Sequence, residues 1–417
     1  MRKIIFIILG ILILAGGGWY WYAKSRQTQD GVPAITDFGA FFPIGRDTVP
    51  NVPGTLPTGA ESITNTAPTA SSAFKQLSPD AVAGFTPFTA TVTTTTPGAT
   101  PKEKPVVTTT TKHFLRYVAR TNGYVYEIED GGMPLQITNV YIPNIYESAF
   151  GDKFATAILR FLRADQRTIA TYAVPVPPPN PDGTRTQKEG IYLPDNMVAL
   201  VPSPDGTQVA RITTDAQGAL LSLSTPTNTK RVDILKSPFR EWILSWPTAK
   251  SIYMQTKASA QVPGYLYRVD TTEKKLRRVL GNINGLTTSV SPSGTYILYA
   301  QNSGGSFVTK LLNTKTNTTQ NLSLTILPEK CTWLKNEDLI CAGNATVPEA
   351  QYPDAWYQGT VAFSDQLYRI YTGAAIYDTL YDNSGASYDM THLATDEALG
   401  LLYFIDKQTG VLWQFRY

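Results

Sequence analysis

The chain has 417 residues, of which 42% are hydrophobic and 17% charged, with a net charge of +3. That length exceeds one ordinary domain, and so small a charge excludes a dedicated nucleic-acid binder, which would carry a strongly basic face. Two cysteines cannot make a closed four-sulfur zinc site, and no cofactor is expected.

The N-terminus reads as Met1-Arg2-Lys3 followed by an uncharged run from Ile4 to Tyr22. Such a run is close to the ~20 residues that cross a bilayer as a helix. Trp19, Tyr20, Trp21 and Tyr22 stand where an interfacial aromatic belt would be, and Lys24 and Arg26 close the segment. The small residues Ala15 to Gly18 support a cleaved signal peptide as the competing reading. The aromatic belt favours a membrane anchor over residues 1–23. Basic residues nearly tie across this run, so the expected orientation rests on two other features. The N-terminal tail is too short to be a domain, and the cysteines suit an oxidising compartment. The expectation is a single-pass protein of the cell membrane, N-terminus cytoplasmic and C-terminal domain extracytoplasmic.

Residues 24–112 are dominated by Pro, Thr, Gly, Ser and Ala, with Thr tracts at Thr93 to Thr96 and Thr108 to Thr111. Composition of this kind buries too little apolar surface to offset the entropy of ordering, which predicts a disordered stalk. Two aromatic islands interrupt it, one with Phe38, Phe41 and Phe42 and one from Phe85 to Phe88. Exposed phenylalanines are costly in water. They either fold back onto the domain or the membrane surface, or form a short linear motif that docks a partner protein.

From His113 the pattern is strand, turn, strand. His113 to Ile128 turns at Asn122-Gly123, and Leu401 to Tyr417 turns at Gln408-Thr-Gly410. Between them a unit recurs, clearest at Val198 to Ile212 and Leu286 to Tyr299. In each, an apolar run meets Ser203-Pro-Asp-Gly206 or Ser291-Pro-Ser-Gly294 and a second β-branched and aromatic run follows. Pro sets the turn and Gly supplies positive φ at its exit. Weaker copies begin at Ile145, Ile243, Cys331 and His392. The central starts at Val198, Ile243, Leu286 and Cys331 lie roughly 43 to 45 residues apart, within the period of propeller blades. A chain ending on a strand pair fits a ring whose last blade is completed by an N-terminal strand.

At these residues the chain resembles the TolB-like and WD-repeat-like β-propellers of exported bacterial proteins. The resemblance rests on the two Ser-Pro turns and on Tyr265 to Val279. It implies an all-β fold over residues 113–417, a β-propeller of about seven blades, with six or eight as alternatives. It specifies no activity, since that family includes scaffolds, receptors and gating domains of peptidases. Two departures stand out: an insertion in the blade from Cys331 to Asp382, and the Pro-rich loop from Ala173 to Gly183.

Candidate chemistry is sparse. Cys331 and Cys341 are symmetric about Asn336, so a hairpin turning there would set them opposite each other, within reach of a disulfide. His113 and His392 are the only histidines, and ring closure could bring them near each other. HExxH, GxSxG and GxxxxGK(S/T) patterns do not occur. Asp382 to Asp389 resembles a calcium loop faintly but lacks the terminal bidentate Glu, so a polar turn is expected. The inserted region crowds Tyr352, Trp356, Tyr357 and Tyr368. These aromatics either pack the blade or, with Phe38, Phe41 and Phe42, form an interaction surface. The functional expectation is a non-enzymatic protein-binding or scaffolding module of the cell envelope, its partner an envelope protein. The alternatives are a carbohydrate-binding module and a propeller enzyme acting on cell-wall glycans or peptides.

Overall fold

The computed structural model of the protein describes residues 73–96, 106–180 and 183–417. The strands come in consecutive groups. The first group is β1 (Phe74–Thr96), β2 (Val106–Ala119), β3 (Val125–Glu129) and β4 (Leu135–Gln136). The second is β5 (Ile145–Gly151), β6 (Thr156–Leu162), β7 (Ile169–Pro175) and β8 (Ile191–Leu193). The third is β9 (Met197–Pro202), β10 (Val209–Asp215), β11 (Gly218–Ser224) and β12 (Val232–Ser237). The fourth is β13 (Trp242–Thr248), β14 (Ser251–Thr256), β15 (Pro263–Asp270) and β16 (Leu276–Asn284). The fifth is β17 (Thr287–Val290), β18 (Tyr296–Ser303), β19 (Ser306–Asn313) and β20 (Thr318–Asn321). The sixth is β21 (Cys331–Trp333), β22 (Leu339–Gly343), β23 (Gln366–Tyr371) and β24 (Ile376–Tyr381). Last come β25 (Met390–Asp396), β26 (Leu401–Asp406) and β27 (Val411–Arg416).

Within each group, neighbouring strands pair antiparallel in chain order. First strands lie beside first strands of the next group: β1 beside β5, β5 beside β9, β9 beside β13, and β21 beside β25. β25 then lies beside β1, which closes a ring with the first strands innermost. β1 makes the closure. Its start, at Phe74 to Gln76 and Ala81, pairs with β27, and from Val82 onward it pairs with β2. One seven-stranded sheet results; with β1 counted in both halves, the strands sort into seven groups of four. An N-terminal strand does complete the last group.

The sheets pack face to face, so the central strands are covered on both sides. That is why Thr156 to Arg160 and Leu401 to Asp406 are buried at every position rather than alternately. One core cluster joins Ile212 and Leu221 to Trp246 and Ile252 of the next sheet; another joins Ile340 and Leu367 to Met390 and Phe404. Each such aliphatic side chain contributes about 1.5–3 kcal/mol on burial.

The Ser-Pro turns behave as their residues require. Gly206 and Gly294 sit at φ +68° and +75°, where any side chain would be strained. Ser203 Oγ accepts from the Gln208 N–H and Ser291 Oγ from the Tyr296 N–H, both at 3.0 Å. The turns also touch one another around the ring. The Asp152 N–H donates to Gly206 O (2.5 Å), Ser293 N–H to Glu337 Oε1 (3.0 Å), and Lys335 N–H to Glu397 Oε1 (2.9 Å). Loops leading into the first strands, and those between second and third strands, lie at the opposite ends of the strands.

The expected stalk over residues 24–112 needs correction at its C-terminal end. Phe74–Thr96 is a strand whose start pairs with β27 and whose part from Val82 onward pairs with β2, and Val106 to Lys112 belongs to β2. Low complexity suggested disorder, but Thr and Val are β-branched and favour extended backbone. The second aromatic island is packed into the domain: Phe88 stacks on Phe114 and Phe154, with Arg116 over its ring at 4.5 Å. Phe38, Phe41, Phe42 and the apolar run Ile4 to Tyr22 lie outside the described residues. Among the described residues, no helix is long and apolar enough to cross a membrane.

Candidate functional site

The insertion between β22 and β23 runs across the loop end of several sheets. The Ala350 N–H donates to Gly305 O (2.8 Å), and Asp354 Oδ2 accepts from the Ala260 N–H (2.6 Å). Lys407 Nζ, next to β26, donates to Trp356 O at 2.8 Å. A one-turn helix, α1 (Asp354–Tyr357), places Trp356.

Beneath this strap lies a buried ionic cluster. Lys330, on the 3-10 turn Pro328–Lys330, donates from Nζ to Asp389 Oδ1 (2.5 Å) and Asp365 Oδ2 (2.8 Å). All three side chains are shut off from water. Asp389 also accepts from Trp356 Nε1 (3.0 Å) and the Phe363 N–H (3.1 Å), while Asp365 Oδ2 accepts from the Met390 N–H (2.6 Å). Lys330 Nζ lies 5.1 Å from the ring centroids of both Trp356 and Phe363, in cation–π range. Asp365 Oδ1 finds no partner. Desolvation pushes the Asp365 carboxyl up to about 6; Lys330 opposes this and Asp389 reinforces it. The carboxylates are engaged by protein donors in a closed interior, so the cluster ties the strap down and offers no acid–base pair to a substrate.

The aromatics expected as an interaction surface therefore need correction. Tyr352, Trp356 and Tyr368 are buried. Tyr352 packs edge-on to Phe307, and Tyr368 lies on β23 edge-on to Tyr377. Large rings beside backbone that must cross neighbouring sheets are drawn inward, because the strap has little else to bury. Tyr357 is half-buried. The Pro-rich loop is likewise pinned: Arg185 pairs with Glu127 Oε1 at 2.6 Å, and Arg116 pairs with the same carboxylate at 2.7 Å.

Cys331 and Cys341 stand opposite in the β21–β22 register and are joined as a disulfide with Cα atoms 4.1 Å apart. His113 pairs through Nδ1 with Asp396 Oδ2 at 2.5 Å, fastening β2 to the end of β25. His392 is water-accessible yet walled by protein; desolvation lowers its pKa and Glu147 raises it. The two histidines thus serve different contacts. In the segment Asp382 to Asp389, Asp382 accepts from the Ser384 N–H (3.0 Å) and Asp389 belongs to the Lys330 cluster. Among the described residues, no three His, Cys, Asp or Glu side chains are grouped to hold a metal ion.

One open groove of about 660 Å³ lies at the same end of the second group. It is lined by Asn144, Phe161, Leu162, Arg163, Asp165 and Tyr192, among others. Tyr192 is 62% exposed, and the nearby loop carries Tyr141 at 64%. Arg163 holds Asp195 at 2.9 Å and lies 5.6 Å from the centre of the Tyr192 ring. Asp165 is held ionised by hydrogen bonds, the largest from the Thr168 side chain, which lower its pKa to about 2. Sequence reading did not single out this groove. Its residues come from three stretches, 142–144, 161–165 and Tyr192 on β8, which only the fold brings together.

No protein-family model and no curated protein sequence matches the chain. Solved structures do. An oligogalacturonate lyase in complex with manganese is similar at 12% identity and TM-score 0.50, over 73% of this chain and 85% of that one. The fold is a β-propeller. TolB from Acinetobacter baumannii is similar at 14% identity and TM-score 0.40, over 64% of this chain. The chain spans 61% of that protein's length. The Swd1 β-propeller domain of Myceliophteria thermophila is similar at 11% identity and TM-score 0.45, over 73% of this chain and 93% of that one. At such identities the likeness concerns the propeller alone.

Proposed function

We propose that this propeller is a protein-binding or scaffolding module of the cell envelope, held to the membrane by the apolar run Ile4 to Tyr22 with the propeller outside the cytoplasm. The observation that carries the binding reading is the groove at Asn144, Arg163, Asp165 and Tyr192. An exposed tyrosine on β8 beside a guanidinium and a carboxylate from the adjoining β6–β7 loop is the composition of interface anchors. The disulfide between Cys331 and Cys341 supports an oxidising compartment. Proximity labelling from the full-length chain in its native cell, with wild type beside Tyr192→Ala, tests the reading. Loss of the same neighbours from the variant supports it, and an unchanged set of neighbours removes the groove as the site. A reporter active only outside the cytoplasm, fused after Tyr417, tests the orientation.

The second reading is a glycan ligand, favoured by the same tyrosine rings, since sugars stack on aromatic faces flanked by polar groups. A glycan array with the Tyr192→Ala control separates the two.

A further inference from the structure

The small net charge of the chain conceals an uneven distribution. Residues 230–280 hold eleven Lys and Arg against four Asp and Glu, an excess of seven where the whole chain has an excess of three. They include β12 and β16, the outermost strands of the third and fourth groups, and the turns beside them.

Hydrogen bonds draw this stretch into one surface. The Thr271 N–H donates to Lys250 O (3.0 Å), which joins the tip of the β15–β16 hairpin to the β13–β14 turn. From the same tip, Lys274 Nζ donates to Asp233 O on β12 (2.8 Å). Lys274, Lys275, Leu276, Arg277 and Arg278 are exposed one after another. In the register of β15 and β16, Arg268 stands directly opposite Arg277. Like charges so placed repel and cost stability, so packing gives no reason for the pair.

The carboxylates of this surface are engaged by their own neighbours. Glu273 pairs with Lys275 (3.1 Å) and Asp233 with Arg231 (3.0 Å). Asp270 Oδ1 accepts from the N–H groups of Thr272 (2.9 Å) and Glu273 (2.8 Å). Their place among the cations selects the partner. A bilayer or a polymer charged at every unit is repelled by them, whereas a peptide with spaced acidic residues avoids them. Leu276 and Val232, 42% and 46% exposed, flank the contact of Lys274 with Asp233 and offer an apolar foothold of the kind a protein segment uses.

We infer that the outer wall at β12 and β16 docks an extended acidic segment of a partner protein. Its carboxylates meet Arg277, Arg278 and the Lys274–Lys275 tip, and one apolar side chain lies against Leu276. A guanidinium holds a carboxylate by two parallel hydrogen bonds, and a carboxylate at Arg277 offsets the repulsion from Arg268. This wall is separate from the groove of the second group, and the inference rests neither on that groove nor on a membrane anchor.

The test measures binding of the purified full-length chain, in detergent, to a short fluorescent peptide of alternating Glu and Ser with a central Leu. Wild type is expected to bind it, more weakly as salt rises, and to ignore the same peptide with Gln for Glu. Arg277→Glu with Arg278→Glu should weaken binding about tenfold or more, as charge reversal at a complementary interface does. Lys188→Glu, on the loop between β7 and β8, should leave binding unchanged. Both the double variant and Arg277→Gln should melt no earlier than wild type, because each relieves the repulsion at Arg268. The inference is overturned if wild type ignores the acidic peptide, if the double variant binds as wild type does, or if Lys188→Glu weakens binding equally. It is also overturned if an oligonucleotide or phosphatidylglycerol mixed micelles displace the peptide at lower concentration than unlabelled peptide does. Earlier melting of Arg277→Gln would overturn it too, by making Arg277 a packing residue.

Discussion

Lys330 and Asp389 form an ion pair at 2.5 Å that water does not reach. Two charges removed from water are expensive, and the pair persists because Asp365, Trp356 and Phe363 complete its bonding. Replacing Lys330 by Met leaves Asp365 and Asp389 uncompensated in one closed site. The expected loss is about 3–5 kcal/mol, read by chemical denaturation. Adding Asp365→Asn and Asp389→Asn to that variant should recover part of it. A Lys330→Met protein as stable as wild type would show that the cluster is hydrated in solution.

The raised carboxyl of Asp365 gives a signed pH effect. Folded, it keeps its proton up to about pH 6; unfolded, it releases it near 3.8. Between those values the folded state binds more protons, so this group's contribution to stability falls as pH rises. Comparing wild type with Asp365→Asn cancels the other carboxylates. From pH 4 to pH 6.5 the wild-type melting temperature should fall relative to that of the variant. A constant difference would mean that Asp365 is ionised throughout.

Replacing Cys331 and Cys341 together by Ala removes a cross-link that closes a short loop, which the chain-entropy account values at about 2–3 kcal/mol. Denaturant midpoints should drop accordingly. Alkylation of the unfolded, non-reduced wild type should find neither thiol free.

Trp356 and Tyr192 should separate packing from binding. Trp356→Ala empties a buried position and is expected to cost about 3–5 kcal/mol. Tyr192→Ala, at a residue that is 62% exposed, should leave the melting temperature within about 1 °C, since surface changes sit within ~0.5 kcal/mol. If Tyr192→Ala melts markedly earlier, the groove is an element of packing.

What the sequence made legible was what local rules govern. The Ser-Pro turns, the Asn122-Gly123 and Gln408 to Gly410 turns, and the opposed cysteines each follow from a few adjacent residues. Three things did not follow. β1 was hidden because Thr tracts look like a linker by complexity and like a strand by propensity, and pairing decides between them. The burial of Trp356 depends on Lys330, Asp365 and Asp389, which are spread over 60 residues and show no common spacing. The groove at Tyr192 likewise exists only after three stretches distant in sequence converge.

Closure by β1 also sets the order in which the molecule can be finished. The Leu412 N–H donates to Ser78 Oγ across 334 positions of chain. A ribosome has therefore made nearly everything before the strand that begins the domain can meet its partner. Each sheet in between can form as it emerges, but the seam waits, and the start of β1 stays unpaired for the whole of synthesis. Contacts of such long sequence separation form slowly and leave a sticky edge open meanwhile. A stop codon that removed only β27 would thus have a disproportionate effect. It would delete the six residues of β27 together with Tyr417 and leave the start of β1 permanently without a neighbour on that side.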